Sequence, residues 1–371
     1  MTGPGPLTGT RVVEFGGIGP APLAGMLLAD LGADVVVIER PNAGAIAEFV
    51  PKGFLVTNRG KRLTEADLKA PADLERVRSL LDRSDALIEG FRPGTMERLG
   101  LGPELVLARN PRLVYCRVTG WGQTGPLART AGHDITYLAM TGALATIGRH
   151  GDPPVPPVNY LGDYAGGTMF AVTGILAGLL EARRSGRGQV VDAAMIDGVG
   201  ALLAPLQGMV AAGRWRLERG RNLLDTGAPF YDVYPTADGR YLAVGALEDE
   251  FFAVFAERIG LDQGLADRRW DANTWPALRK AIGERIAERS RDAWVQIFEG
   301  TDGCVAPVLD LAEARADGHH RSRDGFVEVA GATHPAPAPR FDRTPARIPS
   351  APPTAPTALG ELIADWAREV R

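Results

Sequence analysis

Two short segments of this chain carry groups able to move protons. Gly132-His133-Asp134-Ile135-Thr136-Tyr137 places an imidazole between a glycine and a carboxylate. About thirty residues further on, Leu161-Gly162-Asp163-Tyr164-Ala165-Gly166-Gly167 places a second carboxylate among glycines. A histidine accepts a proton near neutral pH, and a carboxyl group held protonated delivers one. The pair suits exchange of an acidic C–H proton between the two faces of one carbon. Asp163 also stands before an apolar helical pattern, where a carboxylate would cap the first turn. The two roles are compatible, because free N–H groups at a helix start could also hold the oxyanion of an enolate. Glu248, in Gly245-Ala246-Leu247-Glu248, opens a later helix. It reads either as a cap or as the group that orients an imidazole.

Cations suggest what the proton-transfer pair acts on. Arg40 follows one predicted strand, and Arg92 follows another in Gly90-Phe91-Arg92-Pro93. Lys69 closes the run Ala66-Asp67-Leu68-Lys69, and Arg98 lies about a turn and a half beyond Arg92 on an expected helix. Strand ends of a parallel sheet converge on one crevice, so these cations favour an anionic, nucleotide-like ligand over solvated surface charge. The loop Gly16-Gly17-Ile18-Gly19 resembles a dinucleotide fingerprint, but Pro22 stands where its third glycine is needed. A nicotinamide or flavin is therefore not expected, and the loop reads as a turn or as the lining for another ligand. Trp121-Gly122-Gln123-Thr124-Gly125-Pro126 reads as a turn or as a wall for a thin ligand chain.

The elements that must position these groups alternate in type. Strands are predicted over 11–15, 35–38, 86–89, 113–119 and 189–195, and helices over 22–31, 72–83, 102–109, 164–183 and 197–212. Such alternation specifies an α/β fold, a doubly wound and mostly parallel sheet. Beyond it, strands at 231–234 and 240–244 flank the hairpin signal Asp238-Gly239, and helices follow at 248–259, 277–288 and 291–299, the last capped by Ser290. The expected division is a large domain over 1–200 completed by 330–371 and a linker helix over 201–224. A smaller α+β domain spans 225–310, and a return linker and Pro/Ala-rich strap span 311–356. A final helix covers 357–371.

Composition narrows the class. The 371 residues are 45 % hydrophobic and 23 % charged, with a net charge of −4. That balance describes an ordinary globular protein and gives no basic footprint for nucleic acid. Five histidines and two cysteines, Cys116 and Cys304, show no metal-ligand spacing, and both cysteines are expected as reduced core residues. No secretory pattern opens the sequence, and the longest apolar stretch, 169–180, is short for a membrane span. A cytoplasmic enzyme is expected.

Seven segments in one order extend this reading: VVEFGGIGP (12–20), LADLGADVVVIERP (28–41), LIEGFRPGTMERLGLGP (87–103), VTGWGQTGP (118–126), AGHDITY (131–137), PPVNYLGDYAGG (156–167) and GQVVDAAMIDG (188–198). From about Gly9 to the C-terminal helix the chain resembles the α-methylacyl-CoA racemases of the family III CoA-transferase superfamily. The resemblance implies that His133 and Asp163 are the two proton-transfer residues and that Glu248 sits near the histidine. It further implies that Arg40, Ala66, Asp67, Leu68, Lys69, Gly90, Phe91, Arg92, Arg98 and Asp134 to Tyr137 line the CoA site. An interlocked homodimer is implied, with each active site between one subunit's large domain and the other's small domain. No cofactor beyond the CoA of the substrate is implied. Phe91 stands where some relatives have tyrosine, and Thr136 where some have asparagine. The expected activity is racemisation at C2 of a 2-methylacyl-CoA. The alternatives are CoA transfer between acids with Asp163 as nucleophile, and acyl-CoA binding without catalysis.

Overall fold

A computed structural model describes residues 5–41 and 50–368. The chain divides into two compact units. One comprises Met1–Thr141, Val158–Leu203 and Arg321–Arg371, and the other Gly142–Pro157 and Ala204–His320.

The first unit is built on six parallel strands: β1 Arg11–Phe15, β2 Asp34–Glu39, β3 Lys61–Glu65, β4 Ala86–Glu89, β5 Val114–Thr119 and β6 Val190–Ala194. Their order in the sheet is β3-β2-β1-β4-β5-β6, the doubly wound order, which reverses direction between β1 and β4. Strands sandwiched between helical layers are buried on both faces, and the runs VV in β1 and VVVI in β2 reflect that. Alternate residues divide between two cores. Val12, Val35, Ile88 and Cys116 join one face with helices α1 (Pro20–Asp30) and, later in the chain, Met169–Ser185. Val13, Val36, Leu87 and Tyr115 join the other with α2 (Pro71–Leu81) and the C-terminal helix Leu359–Arg368, whose Trp366 is fully buried. The last three residues of the helix expected over 357–371 lie outside the described residues.

Strand β3 escapes the hydrophobic pattern because its charged residues are paired. Lys61 Nζ lies 2.7 Å from Glu14 on β1, and Arg62 pairs with Asp34 on β2. The helix expected over 197–212 is broken into two, Met195–Leu202 and Ala204–Ala211. The chain from Tyr160 to Ser185 is continuously helical over 26 residues, and an 18-residue window within it has a mean hydropathy of 1.4, long and apolar enough to cross a membrane by those criteria alone. Its inner face serves the sheet: Ile175 and Leu179 are buried in the core, and Gly178 lies against Val114 of β5.

The second unit carries the antiparallel sheet β7 (Tyr231–Pro235), β8 (Tyr241–Gly245) and β9 (Val305–Pro307). Helices Asp249–Ile259, Trp275–Ile286 and Arg291–Phe298 cover it around Phe230, Phe255 and Trp294. Ser290 caps the third of these, its Oγ accepting from the Ala293 N–H at 3.3 Å. Residues 142–157, placed in the large domain by sequence pattern, cluster here because Arg149 forks onto buried Asp232 at 2.8 and 3.0 Å. The cysteine expectation needs one correction. Cys116 is buried in β5, but Cys304 is exposed, on a residue whose φ of +51° bends the chain as it enters β9.

Candidate active site

Ligands of doubly wound sheets sit beyond the strand C-termini, where the order reverses. A cavity of about 970 Å³ lies there, at the upper end of the range of ligand pockets and large enough for a nucleotide. The glycine loop 16–19 that follows β1 forms one wall. Arg40 after β2, Ala66, Asp67, Leu68 and Lys69 after β3, and Phe91 after β4 also line it, each in a position anticipated from sequence. Gly90, Arg92, Arg98, Asp134 and Tyr137 do not line this cavity. Gly90 has its Cα side packed toward the Val118 carbonyl, and Arg92 is exposed just ahead of the helix Thr95–Arg98. Arg92 and Arg98 therefore share no helix face, and Arg98 donates to Thr95 Oγ1 at 3.0 Å.

Lys52, Thr57 and Asn58 line the cavity without having been anticipated. They belong to short 3₁₀ turns between β2 and β3, which no hydrophobic period marks. Lys52 Nζ is 3.2 Å from Glu39 and 3.7 Å from Glu65, so it balances two carboxylates at the cavity wall.

Tyr164 lines the same cavity, and Asp163 is its chain neighbour. Asp163 is not a helix cap. The helix begins earlier, with a π-helical stretch over Tyr160–Thr168, and Asp163 lies inside it. Its amide is already engaged, donating to Asp134 Oδ2 at 2.7 Å, so this amide is not free to hold an enolate oxygen. Its side chain is half-buried and accepts from Asn159 Nδ2 at 3.2 Å. Gly19, at φ +77°, allows the glycine loop to approach, since a Cβ there would stand 3.3 Å from Asp163 Oδ2. Burial pushes the Asp163 carboxyl above the usual carboxylate range, and the Asp134 charge adds to the rise; the Asn159 hydrogen bond and the charge of His133 oppose it. His133 thus lies within electrostatic reach of Asp163.

His133 is exposed and immediately precedes the helix Asp134–Thr141. Thr136 fixes its backbone, the Thr136 hydroxyl donating to the His133 carbonyl at 2.7 Å and accepting from its N–H at 3.0 Å. Tyr137 is buried edge-on against Trp121, with ring centroids 4.8 Å apart. A Cβ at Gly132 would stand 2.5 Å from Tyr137 Cε1 and 3.0 Å from Trp121 Nε1, which explains the glycine before the histidine. Glu248 lies in the second unit, exposed, at the N-cap of Asp249–Ile259, and its side chain makes no capping bond. Among the described residues, no group of three or more His, Cys, Asp or Glu side chains assembles as a metal site would.

Gly162 is closely packed, because a Cβ there would stand 2.5 Å from Asp134 Oδ2. Gly162→Ala is expected to lose about 1–3 kcal/mol of stability through overpacking. Differential scanning calorimetry should show a lowered Tm, and an epimerisation assay a reduced rate.

Fold and site together define an α/β protein with a histidine–carboxyl pair beside a nucleotide-sized crevice. The chain belongs to CoA-transferase family III, whose profile matches residues 7–357. It is similar to the α-methylacyl-CoA racemase of Mus musculus, at 44 % identity over 364 residues, 98 % of this chain and 93 % of that protein. The α-methylacyl-CoA racemase of Homo sapiens is 43 % identical over 345 residues, 93 % of this chain and 88 % of that one. Among solved structures, a CAIB/BAIF family protein from Brucella suis superimposes with a TM-score of 0.83 at 27 % identity, covering 98 % of this chain and 99 % of that one.

Proposed function

We propose that this protein is an isomerase that interconverts (2R)- and (2S)-2-methylacyl-CoA thioesters by two-base exchange of the C2 proton. The observation that carries the reading is Asp163, raised above the usual carboxylate range by burial and within electrostatic reach of His133. One group is suited to hold a proton and the other to take one. The two racemases at 44 and 43 % identity support the same reaction.

The thioester carbonyl acidifies the C2 proton, and removing that proton leaves an enolate. From one enantiomer, neutral His133 takes the proton and protonated Asp163 supplies another to the opposite face. The product leaves an imidazolium and a carboxylate, which are the forms needed to run the reaction from the other enantiomer, or which reset through solvent. The CoA nucleotide occupies the crevice between the glycine loop, Arg40, Ala66, Asp67, Leu68, Lys69 and Phe91. Gly90, Arg92, Arg98 and Tyr137, with the backbone of Asp134, belong to the region through which the rest of the thioester reaches Asp163. Binding energy from the phosphates, remote from C2, holds the reacting carbon between the two bases. Glu248 orients the imidazole across a homodimer interface. The chemistry draws on these side chains, with CoA as part of the substrate, in the cytoplasm.

The decisive experiment is proton NMR with a (2R)-2-methylacyl-CoA in deuterated water, with no acceptor acid present. The C2 proton signal is expected to disappear while the other epimer forms. If the proton persists, the racemase reading fails. A new thioester on adding acceptor acids would then identify a CoA-transferase with Asp163 as nucleophile, and no new thioester would leave an acyl-CoA-binding protein.

A further inference from the structure

We infer that the Asp134 side chain is a positioning residue for Asp163, clamping the backbone that carries the proton-transfer carboxyl instead of contacting CoA. The inference rests on the two-base reading for its catalytic consequence but not for its geometry. Asp134 is only 6 % exposed and does not line the nucleotide crevice. Its Oδ2 accepts the Asp163 N–H at 2.7 Å, while its Oδ1 is buried with no partner. A buried carboxylate with one oxygen unpaired carries a desolvation cost, so a device that retains one needs a use for it. Helix capping is not that use: Asp134 is the first residue of its helix, and its bond runs outward to the π-helical stretch. Gly162 yields the space that the carboxylate fills.

The clamp places a negative charge beside Asp163. Of the groups acting on Asp163, Asp134 raises its pKa and His133 lowers it, while Asn159 lowers it through a neutral hydrogen bond. Tyr137, on the same helix as Asp134, is itself under the influence of Asp163 and Arg92. Of the other elements packed on the stretch, α1 presents Pro20 and the helix Met195–Leu202 presents Met195 and Val199, while Asp197 is exposed. Strand β5 carries Arg117, paired with Glu89 and Glu97, and β6 carries Asp192, which accepts from the Gln123 N–H. A charge that favours the protonated form of Asp163 serves a proton donor, whereas it would hinder a carboxylate nucleophile.

Asp134→Asn keeps the size and an oxygen able to accept the Asp163 N–H, but removes the charge. Asp134→Ala removes both. In protein labelled with ¹³C-aspartate, the Asp163 carboxyl resonance, assigned with Asp163→Asn, should titrate about one pH unit lower in Asp134→Asn. In the direction where Asp163 donates, the alkaline limb of kcat should move down by the same amount, with KM for the acyl-CoA unchanged. Asp134→Ala should lose about tenfold more in kcat. If that variant does not fold, Asp134→Asn alone decides. An unmoved Asp163 titration, or a raised KM with an unmoved pH profile, would overturn the inference and mark Asp134 as a CoA contact. If the wild type fails to exchange the C2 proton, the two-base reading falls, and the carboxyl titration still decides what Asp134 does.

Discussion

Asp163→Asn is expected to lower the rate of epimerisation by about 10³-fold with little change in KM, the loss typical of removing a positioned acid–base group. The substitution is nearly isosteric. Its amide oxygen can still accept from Asn159 Nδ2, now at 3.2 Å, and its backbone N–H still reaches Asp134. What disappears is the ionisable proton. Burial raises the carboxyl's affinity for its proton, and an amide has no such proton to exchange. Steady-state rates in both directions check the expectation, since each enantiomer uses Asp163 once, as donor or as acceptor. A variant that kept more than about a tenth of the wild-type rate would remove Asp163 from the chemistry. The parallel change His133→Ala separates mechanisms: it should abolish racemisation, while a nucleophilic transfer at Asp163 needs no second base.

The second large effect concerns the foundation of the crevice. Lys61→Met is expected to destabilise the first unit by about 3–5 kcal/mol, the loss that follows when one partner of a buried ion pair is removed. Lys61 and Glu14 have side chains 0 and 1 % exposed. The ammonium donates to Glu14 Oε2 at 2.7 Å and to the Pro22 carbonyl at 2.8 Å, tying β3 to β1 and to α1. Burial pushes the Glu14 carboxyl up and the Lys61 ammonium down, and each charge counteracts the other's shift. Glu14 Oε1 already lacks a partner, so methionine at 61 would leave the whole carboxylate buried and unpaired. Urea unfolding should show the lower midpoint, and Glu14→Gln in the same chain should restore part of the loss, since no charge is then stranded. A loss under about 1 kcal/mol would mean that water reaches Glu14. Glu14 also lines the cavity proposed for the CoA nucleotide, so the same variant should weaken acyl-CoA binding.

This pair also shows why part of the fold was hidden in the sequence. The VV and VVVI runs identify β1 and β2 at once, because a strand buried on both faces carries adjacent apolar residues instead of alternating ones. Strand β3, Lys-Arg-Leu-Thr-Glu, looks like a solvated segment until Glu14 and Asp34 are brought beside its charges. Pairing across 47 residues of chain leaves no periodic trace. The helix after Asp163 was legible in its apolar face, but its start was not, because a π-helical stretch has no repeating pattern to announce it. The same holds for Lys52, whose place at the cavity wall follows from irregular turns.

The order of elements, the residue types capable of proton transfer and the cations after strand ends were determined by local sequence. Each depends on short-range periodicity or on a side chain's own chemistry. Tertiary structure decided the rest. It set which of those cations line one cavity, that Cys304 is exposed while Cys116 is not, and that the amide of Asp163 is spent on Asp134. It also decided that Asp163 is raised at all. A carboxyl's affinity for its proton depends on how much water its neighbours exclude and which charges they bring, and those neighbours come from the glycine loop, the histidine segment and the π-helical stretch, which meet only when the chain is folded.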